Sequence, residues 1–198
     1  MQALCTVVCV TTDETQWQTN DSPATWLKER LVPELNRMGQ DVCYDIKVMS
    51  VDVDEGFWQV ASFLDESLAL LLPLLSLLQI TPLPRLIFLA DGIGGLLIKQ
   101  LLVAASEGDT QARLLVESTV GCIFIGVPHR AESSAEYARI LAQRAERTLP
   151  DLVLATPYLM ALNRLFFDLL QNSHHVALLS IGGSEATVRY RRAFAELT

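Results

Sequence analysis

The stretch Phe88–Gln100, FLADGIGGLLIKQ, decides how the rest of the chain is read. A short apolar run, LIFLA from Leu86 to Ala90, leads through Asp91 and three closely spaced glycines into an apolar segment from Ile93 to Ser106. Such a run, bounded by turn residues, is the pattern of a strand buried on both faces, and the longer segment that follows is the pattern of a buried helix. Glycines at this junction have a mechanical cause. A tight turn needs a residue that tolerates positive φ, and a helix laid close to a strand needs small side chains. Two phosphate-binding readings can be tested by spacing alone. A Walker A loop requires G-x-x-x-x-G-K-[ST], which does not occur. A dinucleotide fingerprint requires G-x-G-x-x-G; Gly92 and Gly94 match, but the third place is Leu97 and the unit is third among the strands, not first.

Outward from this unit, strands and helices alternate. Thr6–Val10 (TVVCV) reads as the first strand and the region Val42–Val53 contains the second. Asp21 or Ser22, Pro23 and Gly39 read as the cap, first residue and end of an intervening helix, with Pro33 dividing it. Residues 55–79 predict a long helix or helix pair interrupted at Pro73. Ala112–Val116 predicts a short helix, Gly121–Val127 (GCIFIGV) the fourth strand, Ser133–Arg147 and Pro157–Gln171 two further helices, HHVALLSIGG the fifth strand, and Ala186–Leu197 a last amphipathic helix. No repeat, linker or low-complexity tract divides the 198 residues, so one domain over 1–198 is expected. The alternation predicts an α/β fold with a mainly parallel sheet flanked by helices.

Composition narrows the function classes. Hydrophobic residues make up 51% and charged residues 19%, which excludes a disordered chain. Fifteen basic against 23 acidic residues give a net charge of −8, which argues against nucleic acid as a partner and against docking on anionic lipid by charge. The most apolar run, Leu68–Ile80 (LALLLPLLSLLQI), is well short of the ~20 residues that span a bilayer and contains Pro73, so it reads as a buried helix and no transmembrane segment is expected. Met1–Val10 has no basic segment, and Asp13 and Glu14 follow, so no secretory leader is expected. Cys5, Cys9, Cys43 and Cys122 are scattered, which fits reduced thiols in the cytoplasm and leaves no metal site; no cofactor is expected.

The junction also fits a nucleophile elbow, G-x-S-x-G. The words around it resemble one branch of the α/β-hydrolase superfamily, the lipase or serine-esterase-like domains at the N-termini of fungal NOD-like receptors. Their elbow reads like IIFVGHSLGGLVIKQAL, where this chain has LIFLADGIGGLLIKQLL; they later carry GIIFFGTPHRGS, where Gly121–Ser133 reads GCIFIGVPHRAES. TWLKERLVPEL resembles their segment before the second strand, and the likeness covers Thr6 to Gly183. The resemblance implies a truncated α/β-hydrolase-like fold, lacking the usual last strand and helix.

The departures fall where that family's chemistry takes place. Aligned on the elbow, the nucleophile position is Gly92, preceded by Asp91 where a histidine is usual, with Ala90 in the first glycine position; Asp91, Gly92, Ile93, Gly94 and Gly95 form a degenerate elbow. The His-Gly pair expected after the first strand is replaced by TTDET, Thr11–Thr15, and no histidine follows His175. His174 and His175 stand at the start of a strand, opposite the edge where such sheets bind ligands. Asp91 precedes the nucleophile position and is read instead as a cap for the helix beginning near Ile93. Ser133 is read, with Ser134, as a helix cap. His129 matches the family's PHR histidine, which implies a structural role, with Arg130, in the loop after the fourth strand.

The expectation is therefore a catalytically inactive α/β-hydrolase-like domain that acts as a binding or signalling module. Its ligand-pocket candidates are Thr11, Thr12, Asp91, Gly92, Ile93 and His129, and an apolar small molecule or lipid would lie between the elbow and Leu68–Ile80. A protein partner or homodimer through an exposed sheet edge is the further expectation. The alternative is an active esterase or lipase-like serine hydrolase with a displaced nucleophile or a site completed by a partner chain.

Overall fold

The computed structural model describes residues 3–11, 29, 33, 42–51, 60–79, 83–129, 133–145 and 149–181. Within them the chain forms β1 (Ala3–Thr11), β2 (Val42–Ser50), α1 (Val60–Ala69), α2 (Leu71–Leu77), β3 (Arg85–Asp91), α3 (Gly92–Glu107), α4 (Thr110–Ser118), β4 (Thr119–Ile125), α5 (Ser134–Ala145), α6 (Leu149–Asn172) and β5 (Ala177–Ile181). The five strands make one sheet in the order β2-β1-β3-β4-β5, and every pairing is parallel. This is the α/β architecture that the alternation predicts. The chain winds from β1 to β2, returns to the other side of β1 with β3, and then continues outward. The reversal between β1 and β3 is the topological switch point, and the crevice at the strands' C-terminal ends there is where doubly wound sheets bind ligands.

The two faces of the sheet differ. Val8, Val10, Leu86, Phe88, Ala90, Cys122 and Phe124 point into the main core, together with Ile93, Leu96, Leu97, Ile98, Leu101 and Leu102 of α3. Val7, Cys9 and Leu89 point the other way and pack with half-buried Ile46, Ile87, Ile123 and Ile125. Register explains the sorting, because Val8 pairs with Phe88 and Phe88 with Cys122, whereas Cys9 pairs with Leu89 and Leu89 with Ile123. Cys5, Cys9 and Cys122 are buried thiols, as expected; the side chain of Cys43 lies outside what is described. Burial pushes the thiol of Cys5 up to about 11, against a smaller opposing effect of Arg85, and that of Cys122 up to about 12.

Helix α3 is the axis of the core. Every residue from Ile93 to Val103 is buried, including Lys99 and Gln100. A helix apolar all round belongs inside a protein, and α3 packs against β1, β3, β4, α1, α4 and α6.

Three expectations are corrected here. The break between the first two helices falls at Leu70, not Pro73, which sits in the first turn of α2, where a proline has no helical N–H bond to lose. Helix α6 begins at Leu149, not Pro157, which lies inside it with its ring exposed. The Leu68–Ile80 segment is amphipathic, not wholly buried: Leu70, Leu74 and Leu78 form an i, i+4 stripe in the core, while Leu72 is 72% exposed. It packs on α1 and on α4, the helix leading into the start of β4.

Ser133 caps α5 as expected, its Oγ accepting from the Glu136 N–H at 3.2 Å. His174 and His175 are exposed just before β5. Of the helix expected over residues 21–39, residues 29 and 33 are described and both are helical; the helix expected over 186–197, and Arg130, lie outside the description. Among the described residues no helix is long and apolar enough to cross a membrane, and the sheet ends at β2 and β5.

Candidate functional site

Strand β3 passes into α3 with no intervening loop. Asp91 is extended (φ −108°, ψ 153°), and Gly92 turns the chain with φ +44°. This left-handed conformation costs an L-residue roughly 1–2 kcal/mol, and glycine adopts it freely. A Cβ built on Gly92 meets nothing within 4 Å, so the position has room for a side chain and carries none. The next two glycines have another cause. A Cβ on Gly94 would lie 2.7 Å from the carbonyl oxygen of Val10, and one on Gly95 would collide with the Val127 side chain. The first turn of α3 is thereby seated directly on β1 and on the segment after β4.

Asp91 stands at the N-cap position but accepts no hydrogen bond from the helix's first turn, so the expected cap is not made. Extended backbone alone does not suffice, because the carboxylate must also fold back over the first N–H groups. Thr11, at the end of β1, is fully buried, and its carbonyl accepts from the Val51 N–H at 2.9 Å. Ile93 is a core residue, 7% exposed. The parallel sheet therefore brings Thr11, Asp91 and Gly92 to one edge, with Asp91 and Gly92 half-buried on it and Thr11 and Ile93 inside. Thr12 lies outside the described residues.

His129 leads to a cluster that the sequence did not announce. Gly95 and Lys99 share one face of α3, and where Gly95 admits Val127, Lys99 reaches the next two residues of that segment. Its Nζ lies 2.9 Å from His129 Nδ1, 3.4 Å from the Pro128 carbonyl oxygen and 2.6 Å from Asn163 Oδ1. Asn163 Nδ2 donates to the Tyr137 hydroxyl at 2.7 Å, and that hydroxyl donates to the Pro128 carbonyl at 3.1 Å. On the other side of the imidazole, His129 Nε2 lies 2.7 Å from Ser180 Oγ. The ring is flanked by Phe124 at 5.7 Å and Phe167 at 6.0 Å between centroids. Four elements and the loop after β4 thus meet at one polar knot at the C-terminal edge.

The electrostatics follow from depth. Lys99 is 0% exposed, and none of the partners just named is a carboxylate. Burial therefore holds its amine well below the usual lysine range, with a smaller opposing effect of Cys122. The Phe124 and Phe166 rings, 5.5 and 6.0 Å from Nζ, favour a cation but cannot replace its lost hydration. Burial pushes the Tyr137 hydroxyl up to about 12 against the opposing hydrogen bond from Asn163. Nζ donates to the Pro128 carbonyl oxygen and to Asn163 Oδ1; where the amine is neutral its lone pair can accept from His129 Nδ1–H, which leaves Nε2 bare to accept the Ser180 hydroxyl proton.

Sequence reasoning placed His129 in the site and missed Lys99, Asn163, Tyr137 and Ser180. The available signal was the Lys99–Gln100 pair in a helix with no wet face, since polar groups there require buried partners. Gln100 makes the same point, its Oε1 accepting from the Tyr158 hydroxyl at 2.5 Å.

The fold and this edge define an α/β protein with a parallel sheet and a glycine strand-to-helix turn at its switch point. No protein-family model matches the chain, and no curated protein matches its sequence. Among solved structures, the thioesterase domain of NocB in a covalent complex with a fluorophosphonate nocardicin G analogue is similar, with a TM-score of 0.37 and 12% identity over 90% of this chain and 85% of that one. At that distance no function is transferred.

Proposed function

We propose that this chain is a single α/β-hydrolase-like domain that binds its ligand without turning it over, its elbow having lost the nucleophile. The observation that carries the reading is Gly92, which holds the positive φ of a strand-to-helix turn and opens onto free space without a reactive atom. Asp91, directly before it, faces the same edge. The bound species is an apolar small molecule, a lipid or a protein segment received at the sheet's C-terminal edge. A signalling role, with the receptor-like context, rests on the two motif blocks of the sequence alone.

The test is turnover of p-nitrophenyl butyrate by the purified protein, with Gly92→Ser beside it. The expected result is background hydrolysis for both proteins, with Gly92→Ser folded and about 1–2 kcal/mol less stable from the positive φ. Wild-type turnover well above background that disappears in Asp91→Asn would overturn the proposal.

A further inference from the structure

We infer that Ser180, with His129 as its base, is a nucleophile outside the elbow that takes up the acyl group of an activated ester or thioester in a single covalent step. This goes beyond the preceding proposal and does not depend on it, since that one concerns turnover at the elbow and this one a stoichiometric modification of β5. The geometry has the three parts such a step needs. The nucleophile and base are in hydrogen-bond contact, Ser180 Oγ to His129 Nε2, at 2.7 Å. The base is oriented from behind by a third group, Lys99 Nζ to His129 Nδ1, at 2.9 Å. That third group is itself fixed by Asn163 and by the Pro128 carbonyl.

An imidazole activates a serine only in the tautomer that leaves the facing nitrogen bare. The Lys99 Nζ contact at Nδ1 fits that tautomer when the amine accepts Nδ1–H, the part usually played by a carboxylate. Lys99 is thus a positioning residue, with no access to substrate. Ser180 is half-buried in β5, beside Ile181, which is 37% exposed. Phe124, opposite Ser180 in β4, and Phe167 make the surroundings of the base apolar, so the fitting donor carries an apolar acyl chain. In the step, the Ser180 hydroxyl proton passes to His129 Nε2 as Oγ bonds to the acyl carbon. The bond to the leaving thiol or alcohol breaks, and Nε2 returns the proton to it. The products are an acyl-serine ester and the free thiol or alcohol.

The experiment is labelling of the intact chain with an alkyl fluorophosphonate, which is attacked by the same oxygen with loss of fluoride, followed by peptide mapping. One label per chain at Ser180 is expected, abolished in Ser180→Ala and unchanged in Ser134→Ala. General-base assistance contributes roughly 10²–10⁴-fold, so His129→Gln should slow labelling by at least about 10²-fold while retaining a cooperative melt. The pH profile of labelling should shift between the wild-type protein and Lys99→Met, a response that removal of a merely structural lysine amine would not produce. The titratable groups facing that amine are His129, Cys122 and Tyr137, and the last two stay neutral to about 12. Absence of label on a cooperatively melting protein, a label mapped to another serine, or an unchanged rate in His129→Gln would each overturn the inference. Background ester turnover together with a Ser180 label would leave both proposals standing; turnover that survives Ser180→Ala and falls in Asp91→Asn would overturn only the first.

Discussion

Asn163→Leu is expected to lower the stability of the domain by about 2–4 kcal/mol, because each buried polar group that loses a partner costs about 1–3 kcal/mol and this change takes one partner from Lys99 and one from Tyr137. The amide is the hinge of the knot: Oδ1 accepts from Lys99 and Nδ2 donates to Tyr137. Leucine has the same branching and number of side-chain heavy atoms and is the larger of the two, so the loss cannot be assigned to a cavity. Asn163 is 4% exposed and Lys99 0% exposed, so water cannot readily substitute. Lys99→Met in the same chain should recover part of the loss, because the stranded amine is then gone; residues in one network couple by about 0.5–3 kcal/mol. Urea unfolding of the wild-type, single and double variants measures this. A single-variant loss below about 1 kcal/mol would mean that the Lys99–Asn163–Tyr137 chain is not formed in solution.

Stability is expected to rise with pH to a maximum near pH 9 and then to fall. Lys99 is depressed by burial, so between its folded pKa and its ordinary value of 10.5 the unfolded chain holds a proton that the folded chain lacks. Stability therefore increases with pH across that window, with a slope of up to about 1.4 kcal/mol per pH unit. The buried thiols act in the opposite sense. Unfolded Cys5 and Cys122 ionise from 9.0, while the folded groups hold their protons to about 11 and about 12, so each removes stability as pH rises past 9.0. Tyr137 joins them from 10.0, its folded value being about 12. Two thiols outweigh one amine above pH 9. In Lys99→Met the rising limb should vanish and the falling limb remain. A wild-type stability that is flat between pH 7 and 9 would show that Lys99 keeps its charge when folded.

What the sequence disclosed divides along a physical line. Local pattern was sufficient for the strands, since an apolar run between turn residues is visible in Leu86–Ala90 and Gly121–Val127 without any tertiary knowledge. The glycines after Ala90 disclosed the turn, because φ and close approach are demands on one residue at a time. Prolines misled in both directions: Pro73 is harmless in a first turn and Pro157 is tolerated within α6, and only the surrounding packing decides such cases. The expected cap at Asp91 failed for a similar reason, since residue type and position were right and side-chain direction was not. The polar knot was illegible because Lys99, His129, Asn163 and Ser180 are brought together from α3, a loop, α6 and β5, and no spacing encodes that meeting.

The strand order also bears on how the domain forms. β1 occupies an interior place in the sheet, yet its second neighbour is β3, and the pairing of Cys5 with Arg85 joins distant parts of the chain. Until β3 is present, β1 has β2 alone for a partner and offers Val8 and Val10 without the helix that covers them. Parallel pairing of this separation closes a long loop before any contact repays the lost entropy, which makes for slow folding and a period of exposed strand edge. The unit from Arg85 to Glu107, strand, turn and buried helix, is the surface on which β1 and β4 both pack, and Gly94 and Gly95 let the first turn of the helix lie close against Val10 and Val127.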